Sequence, residues 1–184
     1  EIPTIELRRK IYSNYLMLLH YLPDIADDEL CTRQFAYQQL FSGIKQYQHV
    51  KRKPEKLRIG YISPDFNEHV DVFFFIQLLA CYDRNRYEVF CYATSGKIDA
   101  VTEQLQQWTD GWRDLSEMTA ARAAAQIYQD QVDILFDLSG HCDGGKGLQI
   151  AAYKPAPVQL SGIGWFDTTG LLAMDYFLGD CYCD

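Results

Sequence analysis

Two histidines occupy places in this chain where an α/β sheet could use them for chemistry. His69 follows a predicted strand and a Pro-containing turn at 63–65, and it precedes an apolar run over 70–79. The partial positive charge at a helix start disfavours imidazolium, so a histidine there tends to stay neutral and able to accept a proton. The same position also suits a histidine that merely caps the helix, and local sequence favours that structural interpretation.

His141 lies in one of two glycine-rich stretches that follow later predicted strands. We call the stretch that follows the first predicted strand and holds Asp65 and His69 the first loop, residues 139–147 the second loop and residues 162–170 the third loop. The carboxyl ends of parallel strands share one sheet edge, where ligands bind, so we expect the three loops to meet there. Two histidines at such an edge indicate general-base work or recognition of a hydroxyl group. Glycine-rich loops can cradle phosphate, but they are also ordinary turns.

Two other kinds of site are disfavoured. Cys142 directly follows His141, and a nucleophile and base that are adjacent in sequence seldom face each other, so thiol catalysis is not expected. The first strand carries Gly60 alone rather than GxGxxG, and the chain has no P-loop. Dinucleotide binding through the first turn is therefore not expected either.

The elements that must position these loops alternate between strand and helix from residue 57 onward. Strands are predicted over 57–63, 87–93, 133–138, 157–162 and 174–179, with a short one from Trp112 to Leu115. Helices are predicted over 69–82, 99–108, 119–130 and 146–153. This alternation predicts an α/β fold, with a Rossmann-like, mostly parallel sheet covered by helices on both faces.

An α-helical segment precedes the sheet. Helices are predicted over 5–20 and 27–48, and the first has an apolar face at helical spacing: Leu7, Ile11, Tyr15, Leu18 and Leu19. We divide the chain into a helical segment (1–50), a basic linker (51–56) and a Rossmann-like lobe (57–184). Two helices cannot enclose a core alone, so they must pack on the lobe or on further helices. The last residues follow a strand directly, which predicts a chain cut from something longer.

Composition narrows the classes of function. The 184 residues are 48% hydrophobic, and no run approaches a membrane span or a signal peptide. Net charge is +2 over residues 1–56 but −10 over 57–184, which argues against a nucleic-acid surface. Six cysteines without a CxxC pair are typical of reduced thiols in the cytoplasm, and the pair Cys181 and Cys183 is too close for one zinc site.

Five sequence blocks between residues 57 and 180 then point to a family. They are Leu-Arg-Ile-Gly-Tyr-Ile-Ser-Pro-Asp-Phe with His69, Arg-Tyr-Glu-Val-Phe-Cys-Tyr-Ala, Val-Asp-Ile-Leu-Phe-Asp-Leu-Ser-Gly-His, Lys-Pro-Ala-Pro-Val-Gln, and Thr-Thr-Gly with Met-Asp-Tyr. In this order they resemble the catalytic region of the O-GlcNAc transferase and SPINDLY family, the family-41 glycosyltransferases. Residues 12–24 also resemble the helical segment before that region, which tetratricopeptide repeats normally precede.

The resemblance implies the N-terminal, acceptor-side lobe of a two-lobed GT-B fold. It implies inverting transfer of a sugar from a nucleotide sugar, UDP-GlcNAc, to Ser or Thr hydroxyls of a protein acceptor, without a metal or another cofactor. His69 and His141 match positions at the catalytic cleft, and Gly164, Thr168, Thr169 and Gly170 match a loop near the donor. The C-terminal lobe is missing, so the chain alone should be inactive. Whether the protein forms a homo-oligomer stays open.

Two departures from the family pattern support an alternative, a non-catalytic binding or scaffold module. The third loop carries Phe166 and Asp167 where the family has Pro and Gly, and Cys142 stands where Thr is usual. A carboxylate at position 167 would repel a pyrophosphate unless it points away from the donor.

Overall fold

A six-stranded, all-parallel sheet forms the centre of the protein. The computed structural model describes residues 4–182, apart from the side chain of Asp143. The sheet order is β3-β2-β1-β4-β5-β6, so the order reverses between β1 and β4. The strands are β1 (Leu57–Ser63), β2 (Tyr87–Ala93), β3 (Gly111–Asp114), β4 (Ile134–Asp137), β5 (Val158–Gly162) and β6 (Tyr176–Leu178). The predicted Rossmann-like parallel sheet is confirmed, including the short strand near Trp112.

Helices connect the strands and cover both faces of the sheet. They are α1 (Ile5–Leu19), α2 (Asp27–Ala36), α3 (Val72–Ala80), α4 (Ala100–Trp108), α5 (Ala120–Gln129) and α6 (Lys146–Ala151), with 3-10 turns at Tyr37–Phe41 and Cys142–Gly145. Side-chain caps fix three helix starts: Thr4 accepts from the Leu7 N–H, Asp99 from the Thr102 N–H, and Thr119 from the Arg122 N–H. One core lies under α3 and α4 and another under α5.

The second predicted helix, over 27–48, is too long. Regular α-helix stops at Ala36, a 3-10 turn follows, and the chain beyond Gly43 is extended. Contacts with the lobe hold this stretch: the Tyr47 N–H donates to the Tyr153 carbonyl, and the Tyr47 ring stacks on Tyr128 at 4.2 Å between centroids. Tertiary contacts thus override the helical pattern of the sequence here.

The prediction that the apolar residues of α1 form its packing face is also wrong for most of those residues. Leu7, Ile11 and Leu18 are largely exposed, and the buried side chains of α1 are Arg9, Ser13, Leu16 and Leu19. The Arg9 guanidinium donates to the Leu40 carbonyl and lies over the Phe41 ring, so a charged side chain can be buried. This face packs on α6 and on Leu171 in a third core, which confirms that the helical segment needs the lobe.

Among the described residues, Cys31, Cys81, Cys91 and Cys181 are free thiols, and the reduced state expected for all six cysteines stays a prediction. Cys183 lies outside the described residues, so the prediction for the Cys181 and Cys183 pair stays a prediction. Within residues 4–182, every helix is too short or too polar to cross a bilayer.

Asp137, the last residue of β4, is fully buried beneath the sheet edge. Its Oδ2 accepts hydrogen bonds from the Gly140 N–H (2.8 Å) and the Ser161 hydroxyl (3.1 Å), whereas its Oδ1 has no partner among the described residues. Burial raises the pKa of this carboxyl from 3.8 to about 6 against the opposing effect of the hydrogen bonds. The unfolded chain therefore releases this proton first, and the contribution of Asp137 to stability falls as pH rises from 3.8 to about 6.

We predict that Asp137→Asn removes this penalty. Because the amide does not titrate, the advantage of the variant over the parent in free energy of unfolding should grow by about 2 kcal/mol from pH 4 to pH 7. Urea unfolding at both pH values measures the difference, with Glu117→Gln as a control for loss of an exposed carboxylate. Parallel pH dependences of variant and parent would contradict the burial argument.

Candidate active-site cleft

The loops after four strands meet in a cavity of about 480 Å³ at the carboxyl edge of the sheet. The first loop, the loop after β2, the second loop and the third loop contribute its lining: Pro64, Asp65, His69, Asp71, Ser95, Lys97, Cys142 and Gly164. A cavity of about 670 Å³ lies at the opposite edge, beside residues 49–52. We place the candidate site in the smaller cavity, because the strand order reverses there and histidine, carboxylate, thiol and ammonium groups converge in it.

His69 lies in the turn that precedes α3, three residues before the first helical residue. Its Nδ1 accepts the backbone N–H of Asp71 at 3.3 Å, and Asp71 is the N-cap residue, so His69 braces the helix start without capping an N–H of the first turn. The ring is also half-exposed and lines the cleft, so bracing the helix start and a place in the site are compatible. In the neutral ring this bond leaves the proton on Nε2, which has no partner within residues 4–182 and can donate to a ligand.

Two carboxylates flank the His69 ring. Its Nδ1 lies 3.8 Å from Asp65 Oδ1 and 3.6 Å from Asp71 Oδ2. One ligand atom from each of these three residues lies within 4.8 Å of the others, a spacing that could hold a metal ion. Exposed carboxylates often lie this close without a metal, and the expectation of metal-free chemistry stays a prediction.

His141 lies behind the cleft wall, with only 1% of the residue exposed. Its Nε2 lies 3.0 Å from the Thr169 carbonyl and its Nδ1 lies 2.8 Å from Ser13 Oγ. A carbonyl only accepts, so the neutral ring carries its proton on Nε2 and accepts the Ser13 hydroxyl at Nδ1. Burial lowers the pKa of His141 to about 4. A direct catalytic role for His141 stays a prediction, but its side chain bridges the helical segment and the third loop.

The two ends of the third loop contact different parts of the molecule. Gly164 lines the cleft, and its N–H donates to the Leu138 carbonyl at 3.0 Å. Thr168, Thr169 and Gly170, which were predicted with Gly164 as donor-binding residues, lie against the helical segment. The Thr168 hydroxyl accepts the Gly170 N–H, and Gly170 has a φ of +63° beside the Gln34 carbonyl. Of these four predicted residues, the structure brings only Gly164 together with His69.

Asp167 points toward the helical segment. Its Oδ2 accepts the Gln34 side-chain amide at 2.6 Å and lies 3.6 Å from the buried Nε2 of His20. Phe166 packs edge-on against the same His20 ring, with centroids 4.8 Å apart. The unusual residues of the third loop therefore belong to its contact with the helical segment.

Sequence reasoning did not single out three residues of the cleft lining: Asp71 in the first loop, and Ser95 and Lys97, which follow β2. The sheet topology could have indicated the two residues after β2. β2 pairs in parallel with β1 from Leu57 to Ser63, so the loop after β2 must leave the sheet at the same edge as the first loop. Lys97 adds the ammonium group of the cleft lining, opposite in charge to Asp65 and Asp71.

We predict that Gly170→Ala is strongly destabilising. A Cβ would lie 1.9 Å from the Gln34 carbonyl oxygen in a left-handed conformation, so the loop or α2 must move. The expected loss is about 2–4 kcal/mol of unfolding free energy in denaturant titration. Gly43→Ala is the matched control, since no heavy atom lies within 4 Å of its Cβ, and should change stability by less than about 1 kcal/mol. Equal effects of both substitutions would refute the packing argument.

Curated relatives carry the same segment within longer proteins. The probable UDP-N-acetylglucosamine–peptide N-acetylglucosaminyltransferase SPINDLY of Petunia hybrida is 31% identical over 184 residues, 96% of this chain and 20% of the relative. The UDP-N-acetylglucosamine–peptide N-acetylglucosaminyltransferase of Caenorhabditis elegans is 35% identical over 128 residues, 68% of this chain and 11% of the relative. The chain thus spans 20% or less of the length of these relatives.

A solved structure gives the same result for the fold. A mutant of Thermobaculum terrenum O-GlcNAc transferase matches with a TM-score of 0.87 and 31% identity, over 94% of this chain and 34% of that one. The profile of Glycosyl transferase family 41 matches residues 28–183. The resemblance found in the five sequence blocks is therefore confirmed, and the chain belongs to glycosyl transferase family 41.

Proposed function

We propose that this chain is the acceptor-side lobe of an inverting glycosyltransferase that moves a sugar from UDP-GlcNAc to Ser or Thr hydroxyls of proteins. The carrying observation is that His69 lines the carboxyl-edge cleft in a chain of this family. The nucleotide sugar would lie between this lobe and a second, C-terminal lobe. The isolated 184 residues should not catalyse transfer, because one wall of the site belongs to that second lobe.

Within this proposal, His69 acts as a hydrogen-bond donor. Its Nδ1 is occupied by the Asp71 N–H, so the neutral ring presents Nε2–H to the cleft. Such a group can orient an acceptor hydroxyl or a donor oxygen, and it cannot remove a proton through that atom in this tautomer. Lys97 supplies positive charge to a lining that otherwise carries the carboxylates of Asp65 and Asp71.

The scaffold alternative loses its main support. It rested on repulsion between Asp167 and a pyrophosphate, but Asp167 is bonded to Gln34 on the helical segment. Cys142 remains a departure at the cleft, where its thiol donates to the Gly164 carbonyl at 3.3 Å. The free thiols of Cys31, Cys81, Cys91 and Cys181 fit the proposed cytoplasmic location.

We predict that His69→Ala lowers sugar transfer about 100-fold, whereas His69→Gln retains more activity because its amide can replace the Nε2–H donor. The assay uses the natural polypeptide that contains this chain, a Ser/Thr peptide and several nucleotide sugars. Arg122→Gln, an exposed change on α5, serves as the control.

An unchanged rate in His69→Ala would remove His69 from the mechanism. Absence of transfer from every donor by the unmodified polypeptide would instead contradict the proposed function and favour the scaffold module.

A further inference from the structure

The helical segment holds the third loop at several points. The Gln34 amide donates to Asp167, and the His20 ring packs edge-on against Trp165 and Phe166. Asp167 and Phe166 are themselves partly or largely exposed. One connection differs, because all of its members are buried.

That connection runs from Ser13 on α1 through His141 to Thr169. The three residues are 0%, 1% and 4% exposed, and the two hydrogen bonds measure 2.8 and 3.0 Å. The Thr169 carbonyl determines the tautomer: it can only accept, so the proton lies on Nε2, and Nδ1 then accepts the Ser13 hydroxyl. Loss of either partner would leave a buried polar group of His141 unsatisfied, which costs more than an exposed hydrogen bond.

Close packing around Ser13 and His141 restricts the positions that these two side chains can take. A Cβ on Gly145 would lie 2.4 Å from Ser13 Oγ, so the second loop approaches α1 as closely as glycine allows. The His141 ring packs edge-on against Tyr37 and Trp165, with centroids 4.8 and 4.9 Å apart. The ring is therefore fixed by packing as well as by hydrogen bonds.

A short path leads from Thr169 to the cleft. The indole Nε1–H of Trp165 donates to the Thr168 carbonyl at 3.1 Å, which ties the two halves of the third loop together. Gly164, next to Trp165, lines the cleft and accepts the thiol of Cys142. A displacement of the Thr169 backbone would thus be passed through Trp165 to the cleft wall.

We infer that Ser13 and His141 are positioning residues, which hold the third loop in the geometry that the nucleotide-sugar donor requires at Gly164. The inference rests on the proposed function for its ligand. It assigns to the helical segment a part in forming the site, through a residue more than 120 positions away from the loop it holds. Neither residue is part of the cleft lining.

The decisive comparison is between two substitutions of His141. In His141→Gln the side-chain amide can reach the Thr169 carbonyl in place of Nε2–H, whereas in His141→Asn the shorter side chain keeps only the acceptor for Ser13. With the natural polypeptide that contains this chain, we expect His141→Asn to raise the KM for UDP-GlcNAc about tenfold and His141→Gln to change it less than about threefold. Ser13→Ala should fall between them.

Tyr12→Phe is the control, because it removes a hydroxyl bond between α1 and the Arg33 carbonyl without touching the third loop. It should leave the KM for UDP-GlcNAc unchanged. A merely structural role would lower the amount of folded enzyme, and hence kcat, with an unchanged KM in every variant. That pattern, or equal KM values for His141→Asn and His141→Gln, would overturn the inference.

Amide hydrogen exchange tests the same inference without activity. In Ser13→Ala, exchange over residues 164–171 should accelerate about tenfold, while exchange in β1 stays as in the parent. Equal acceleration in both regions, or none in the loop, would overturn the positioning role. Loop-specific acceleration in a polypeptide that transfers no sugar would refute the proposed function but retain the mechanical link between α1 and the loop.

Discussion

Parallel pairing of all six strands is the constraint on which the rest of the structure depends. Each strand must be followed by a crossover, so the loops after β1, β2, β4 and β5 all leave the sheet at one edge. The order reverses between β1 and β4, and the first and second loops separate there to form a cleft. His69, Lys97 and Gly164, which are far apart in sequence, become neighbours for this reason alone.

The helical segment packs against the loops at this edge of the sheet. The residues that α1 buries are those with partners elsewhere in the folded chain. Ser13 hydrogen-bonds to a histidine, and Arg9 donates to a carbonyl and lies over an aromatic ring. A more apolar face of α1 was available, but it would have left the buried His141 without a partner for Nδ1. Desolvation of unpaired polar groups thus outweighs the burial of exposed leucines such as Leu7 and Leu18.

These choices explain which parts of the structure the sequence predicts. The strands and most lobe helices follow from apolar runs, caps and turns, because these signals lie within each element's own residues. The face of α1, the end of α2 and the division of the third loop depend on partners more than 100 residues away. No periodicity within those segments carries that information. Topology predicted that the three loops meet at one sheet edge, as they do, whereas Thr168, Thr169 and Gly170 were assigned to the site by family pattern alone.

The third loop shows how such a pattern should be interpreted. Beside a pyrophosphate, the Asp167 carboxylate would be repelled. In the structure it instead accepts a hydrogen bond from Gln34 and lies near the His20 ring, so its charge has favourable partners. The buried Nε2 of His20 has no hydrogen bond, and the nearby carboxylate compensates part of its desolvation. A change in the loop is thus matched by residues in the helical segment. The two regions together form one surface of the site, and substitutions in either are to be judged by their effect on the other.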